Sequence, residues 1–166
     1  MNKISMSLKF LFNKSKRFVS YYKLKLARLP ASSYAISSGF ACGSMVSFTP
    51  LLGFHFLLAI MFAYLLRANY IAALLGTIIG NPVTFPFIWG LIYKVGAFVV
   101  DKPNSNLSPN INFDMIVNQT YEIFIPMVVG GAILAIPIWV LTYYITYSFV
   151  SSFKKARLKK KKKIER

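Results

Sequence analysis

With 166 residues, 56% of them hydrophobic, and a net charge of +16, the chain combines two properties that a single soluble domain rarely holds together. The charge is confined to the ends: eight of the twenty basic residues lie between Lys3 and Arg28, nine between Lys154 and Arg166, and only Arg67, Lys94 and Lys102 elsewhere. A single cysteine, Cys42, excludes an internal disulfide framework and any cysteine cluster for zinc or iron-sulfur.

Residues 1–29 read as a basic amphipathic helix. At 100° per residue, Ile4, Leu8, Leu11, Phe12, Phe18, Val19, Tyr22, Leu26 and Leu29 share one face, and the lysines and arginines share the other; Phe10 and Leu24 fall on the wrong side. Such a helix is expected to lie in the headgroup plane of an anionic membrane. Lysines interrupt the segment throughout, which argues against a signal peptide.

A membrane domain is expected over 30–153, in apolar blocks 33–66, 68–100 and 123–153 joined by an exposed loop at 101–122, with a basic cytoplasmic tail at 154–166. Leu29 to Leu66, Ala68 to Tyr93 and Ile123 to Phe153 hold no Asp, Glu, Lys or Arg, and each is longer than the ~20 apolar residues a crossing requires. In the first block small residues recur every fourth position, at Ala35, Gly39, Gly43 and Ser47, up to Pro50. The second block repeats this at Ala68, Ala72, Gly76 and Gly80, up to Pro82. The prolines lie 32 positions apart, which points to a duplicated unit of a small-faced helix, a break and an aromatic helix. Small faces let backbones approach closely in lipid, so Gly39, Gly43, Gly76 and Gly80 are expected to bring the two breaks together.

Proline removes a backbone donor and clashes with the preceding turn, so helices must stop or kink at Pro50 and Pro82. In hydrocarbon such breaks survive where protein or a wet cavity satisfies the freed backbone groups. The polar residues around them are therefore the candidate site: His55, Asn81, Thr84, Thr49 and Asn69, with Arg67 as a lipid or topology anchor. His55 is the only histidine. It fits equally a functional intramembrane group and a neutral imidazole bonded to a freed carbonyl, while Asn81 and Thr84 also fit local capping around Pro82. If the breaks share one pocket, His55→Gln should be tolerated, and leucine at His55 or Asn81 should strand polar partners.

Both termini are lysine-rich, and lysine favours the cytoplasmic side, so the number of crossings should be even. Four segments satisfy this, with the acidic loop outside. The helices on either side of Pro50 would each be only about 25 Å long against a ~30 Å hydrocarbon core. The first block is therefore either two short crossings or a re-entrant hairpin beside two complete ones.

No catalytic constellation and no metal motif is present. The run Lys159 to Lys163 directly after an apolar block is explained by membrane orientation and not by nucleic acid.

Gly39-Phe-Ala-Cys-Gly43, Thr49-Pro50-Leu-Leu-Gly53-Phe-His55, Leu66-Arg67-Ala-Asn69, Asn81-Pro82-Val-Thr84 and Lys94-Val-Gly96, taken in order, resemble the bacterial membrane family catalogued as domain of unknown function 2062. The resemblance covers roughly 28–150. It implies a bacterial inner-membrane protein and assigns no reaction; the position of His55 in that family is commonly Gln or His, which fits a hydrogen-bonding role.

The expectation is therefore an all-α integral membrane protein, with proline-broken helices or re-entrant hairpins and an N-terminal amphipathic helix. It is multi-pass, with both termini cytoplasmic, no enzymatic activity and no cofactor. The favoured function is a small transport or permeation module with a polar pocket at the breaks. The alternative is a structural or lipid-associated accessory factor. Expected partners are the bilayer and anionic lipid at the basic termini, with a second copy or another membrane protein left open.

Overall fold

A computed structural model of the chain describes residues 17, 20–51, 53–100 and 113–164, and of 113–121 and 161–164 the backbone alone. The described residues form helices and no strands: α1 (20–27), α2 (Ser33–Val46), α3 (His55–Leu65), α4 (Tyr70–Gly76) continued by a 3₁₀ turn (Thr77–Ile79), α5 (Phe85–Val100) and α6 (Phe113–Ile164). Most of the residues expected in the amphipathic helix (1–16, 18 and 19) lie outside the described residues, as does 101–112 of the expected loop.

Local chemistry sets the helix ends. Ser32, in extended backbone after Pro30, caps α2 by accepting from the Ala35 N–H at 3.0 Å. Five residues before the start of α3, Pro50 disfavours helical geometry at Thr49 and has no N–H to give. α3 ends in a Schellman arrangement: the Ala68 N–H reaches back to Ala63 O at 2.7 Å and the Arg67 N–H to Tyr64 O at 3.1 Å. The left-handed position of that motif is usually glycine and here is Arg67, at φ 50°. Asn69 then caps α4, its Oδ1 accepting from the Ala72 N–H at 2.9 Å.

Contacts along the helices fix the path. α2 and α4 run side by side in the same direction: Gly39 backs onto Asn69 and Ala72, Gly43 onto Ala73 and Thr77, and Gly80 onto Ser47. α3 runs back along them, from His55 beside Phe85 to Leu66, whose carbonyl accepts from the Tyr34 hydroxyl at 3.4 Å. α5 continues in the direction of α4. α6 returns antiparallel to α5 and α2, placing Pro126 on Gly96, Gly130 on Ile92, Gly131 on Phe48 and Tyr143 on Tyr34. The chain thus makes a hairpin (α2–α3), one bent pass (α4–α5) and one return (α6). The hairpin's two helices, of 14 and 11 residues, are about 21 and 17 Å long.

α2 is the centre. α3, α4 and α6 all pack on it, and its buried positions are mostly small: Ser37, Ser38, Gly39, Ala41, Cys42, Gly43 and Ser44. This core is built by backbone approach and not by large side chains. A Cβ added at Gly39, Gly43, Gly76, Gly96 or Gly130 would run into a backbone carbonyl of the facing helix. Larger side chains gather at two places, Leu26 with Ile36, Ala72 and Val150 near the basic end, and Ile88 with Ile92 and Met127 between α5 and α6.

Two departures from the sequence reading have simple causes. The final turns of α1 turn Leu26 and Ala27 onto the helical core while Tyr21 and Leu24 face outward, because the Leu29-Pro30-Ala31 bend folds α1 back against α2 and α6. α6 also takes in 113–122, which composition assigns to the loop. The breakers Pro103 and Pro109 end before Phe113, and no proline or glycine follows until Pro126. Within the described residues α6, over Glu122–Lys160, is the one helix long and apolar enough to cross a membrane. His55–Leu65, Tyr70–Ile79 and Phe85–Val100 are apolar but shorter.

Candidate functional site

The two proline breaks meet. Ser47, at the end of α2, donates from Oγ to Gly43 O at 3.0 Å and lies 3.4 Å from Thr77 O, and its Cβ faces the bare Cα of Gly80. Across the same junction the His55 and Phe85 rings lie 5.7 Å apart, and Phe85 is followed by Trp89 at a further 5.7 Å.

The second break is closed by its own side chains. Asn81 Oδ1 accepts from the N–H groups of Val83 (2.9 Å) and Thr84 (3.1 Å), and Asn81 Nδ2 donates to Ile78 O at 3.2 Å. Thr84 Oγ1 accepts from the Asn81 N–H at 3.0 Å and lies 2.5 Å from Ile79 O, a carbonyl left over from the end of the 3₁₀ turn. Phe85 N–H and Ile88 N–H then start α5 on Asn81 O and Thr84 O. Two side chains thereby serve both the end of one helix and the beginning of the next.

The first break is sparser. Thr49 Oγ1 donates to Val46 O at 2.8 Å, and α3 opens at His55 with no side-chain cap. The chain turns through Gly53 at φ 88°, a conformation glycine adopts at little cost. The His55 imidazole lies near the Thr49 backbone; its Nε2 is buried with no partner and the residue is 8% exposed. Trp89 Nε1 is likewise buried and unpartnered.

Of the residues singled out in the sequence, Thr49, His55, Asn81 and Thr84 therefore stand at the breaks, with Pro50, Pro82 and Gly80. Among the described residues no hydrogen bond joins His55 to Asn81 or Thr84. Asn69 stands apart: it caps α4 at the opposite end from Asn81, and its backbone N–H donates to Ala35 O at 2.8 Å. Arg67 is beside it. Gly39, Gly43 and Gly76 form the seam between the two ends.

Two features were not singled out in the sequence. One is the second glycine seam, Gly96 against Pro126 and Gly130 against Ile92; the Gly130-Gly131 pair inside an apolar block was its signal. The other is a groove of about 540 Å³ with Phe40 of α2, Leu75 of α4, Ile78 of the 3₁₀ turn and Ile145 and Phe149 of α6 along its walls, at which Asn81 contributes a polar group. No local pattern marks it, because it arises where α4 and α6 flank α2. Among the described residues no group of three His, Cys, Asp or Glu side chains gathers to hold a metal ion.

No curated protein and no solved structure gives a significant match to the chain. A family model does, over residues 16–159, a range that takes in both breaks, both glycine seams and almost all of α6. The chain belongs to the family described as uncharacterized protein conserved in bacteria, domain of unknown function 2062.

Proposed function

We propose that the chain is an integral protein of the bacterial inner membrane. It crosses with the bent α4–α5 pair and with α6, dips into the bilayer with the α2–α3 hairpin, and serves as a structural, lipid-associated factor. The observation that carries this reading is apolar exposure. Phe98 is 88% exposed, Phe87 79% and Ile136 72%, and only 22% of the most apolar window of α6 is buried. The core helix of a soluble protein buries most of such a window, and soluble monomers seldom expose contiguous apolar patches beyond a few hundred Å². In lipid the same surface costs nothing, and the glycine seams supply the close packing that must replace the hydrophobic effect between helices. Basic residues flank the shared end of α1, α3 and α6, which the positive-inside rule assigns to the cytoplasm.

The hydrogen bonding at the breaks favours a structural role over a solute site. Asn81, Thr84 and Thr49 already spend their polar groups on neighbouring backbone. A second reading, a small permeation module, has one observation behind it: the unpartnered His55 Nε2 buried where the breaks meet.

Membrane fractions washed with alkaline carbonate test the first reading. The protein should stay in the pellet, and a cysteine at Asn106 in a Cys42→Ser background should react with an impermeant thiol reagent on intact spheroplasts. Release by carbonate, or labelling only after lysis, overturns the arrangement. For the second reading, reconstituted vesicles should show no solute flux; a flux abolished by His55→Leu would replace the structural reading with permeation.

A further inference from the structure

The two basic stretches of the chain, at opposite ends of the sequence, meet at one place. Lys154 Nζ donates to the carbonyl of Ala31, 123 residues away, and so holds α6 against the bend that follows α1. Beside this contact lies a groove of about 720 Å³ whose lining includes Arg28, Lys154, Arg157 and Lys160, together with the apolar Leu29 and Pro30. Among the described residues four cations and no carboxylate face it. The cations belong to two separate elements, so their convergence is a property of the fold and not of a charged run. Lys155 and Lys159, on the same helix, do not line the groove.

Like charges gathered without a counter-charge repel one another, and the arrangement gains most from an anion that several of them contact together. Arginine offers paired N–H donors that fit phosphate oxygens. The position selects the source of the phosphate. Lys154 directly follows the charge-free run that ends at Phe153, which is headgroup depth if α6 crosses the bilayer, and the apolar lining suits a glycerol backbone lying alongside. Basic pockets between helices on the cytoplasmic side bind acidic headgroups in this way.

We propose that this groove is a binding site for the phosphate headgroup of an anionic phospholipid, an assignment that rests on the membrane reading above and gives its lipid association a location. The test uses the full chain purified in neutral detergent and titrated with phosphatidylglycerol, phosphatidylcholine or inorganic phosphate. Bound lipid is counted by native mass spectrometry, and stability is followed by the unfolding midpoint. The native chain should retain phosphatidylglycerol in preference to phosphatidylcholine and be stabilised by it. Arg28→Gln with Arg157→Gln, both at exposed positions, should weaken retention by about ten-fold or more. Lys155→Gln with Lys159→Gln removes the same charge and should leave retention unchanged. Equal losses in the two pairs would mean diffuse attraction and overturn the site, as would equal retention of the neutral lipid. Displacement of phosphatidylglycerol by inorganic phosphate at millimolar concentration would overturn the lipid source. A protein that resists carbonate yet shows no lipid preference sinks this inference alone, whereas release by carbonate sinks the membrane reading beneath it.

Discussion

The two breaks carry the same sequence idea, a proline among small and polar residues, and solve the same problem differently. At Pro82 the solution is local: Asn81 and Thr84 satisfy the end of the 3₁₀ turn and the beginning of α5 within four residues of each other. At Pro50 it is distributed. α3 has no side-chain cap, Phe48 rests against Gly131 of α6, Ser47 against Gly80, and the His55 ring leans on Phe85. A locally closed break keeps its shape when neighbours move. A distributed one reports on the packing around it, and that makes the first break the more sensitive part of the molecule.

Four substitutions and one control press on this contrast. The largest effect is expected from Gly131→Val, whose Cβ would sit 2.5 Å from Phe48 O. Overpacking there should cost about 2 to 3 kcal/mol, read as a fall in the unfolding midpoint in detergent. Gly90→Ala, with nothing within 4 Å of the added carbon, should be neutral or slightly stabilising. A harmless Gly131→Val would show that the first break does not lean on α6. Next comes Asn81→Leu, which strands Val83 N–H and Ile78 O, while Thr84 N–H keeps its bond to the Asn81 backbone carbonyl. Because these groups are partly wet, the loss should be about 2 kcal/mol; a loss below about 0.5 kcal/mol would mean that the amide is not what closes the second break.

His55→Leu should cost less, about 1 kcal/mol, since Nε2 has no partner to forfeit and leucine can still pack on Phe85. Combined with Asn81→Leu it should be additive to within about 0.5 kcal/mol. A larger coupling would restore a pocket shared by the two breaks. The smallest effect is expected from Arg67→Gly. Relief of the left-handed backbone at φ 50° should leave stability unchanged or raise it by up to about 1 kcal/mol. A clear loss would show that the arginine side chain holds the α3–α4 corner.

The breaks were legible because proline acts on its own neighbours, whatever the fold. The ladder Gly39, Gly43, Gly76 and Gly80 was legible because its spacing of four keeps small residues on one face, and that face is the α2–α4 seam. Which polar residues would meet was not legible. Thr49, Asn81 and Asn69 all looked available to one pocket, yet each is engaged by backbone within three residues, a competition that spacing alone does not rank. The α5–α6 seam was hidden for another reason: Gly96 and Gly130 lie 34 positions apart in different blocks and meet only through the antiparallel return of α6. The convergence of Arg28 with Lys154 and Arg157 depends on the whole path of the chain.

α6 packs on both α2 and α5, and this bears on how the protein is made. Its contacts with α5 close a short loop, joining Gly96 to Pro126, whereas those with α2 and the bend before it reach back from Tyr143 to Tyr34 and from Lys154 to Ala31. During synthesis the α2–α3 hairpin must therefore wait, with Ile36 and Cys42 uncovered on their α6 side, until the chain has emerged through Lys154, 89 residues beyond Leu65. Small residues and serine hydroxyls suit that interval, because a face of Ser37, Ser38, Gly39 and Ala41 offers little to stray partners and still accepts a helix at backbone distance once it arrives. The central helix is thus suited to the half-made molecule as well as to the finished one, and stalls placed before and after α6 should divide nascent chains into protease-sensitive and protease-resistant classes.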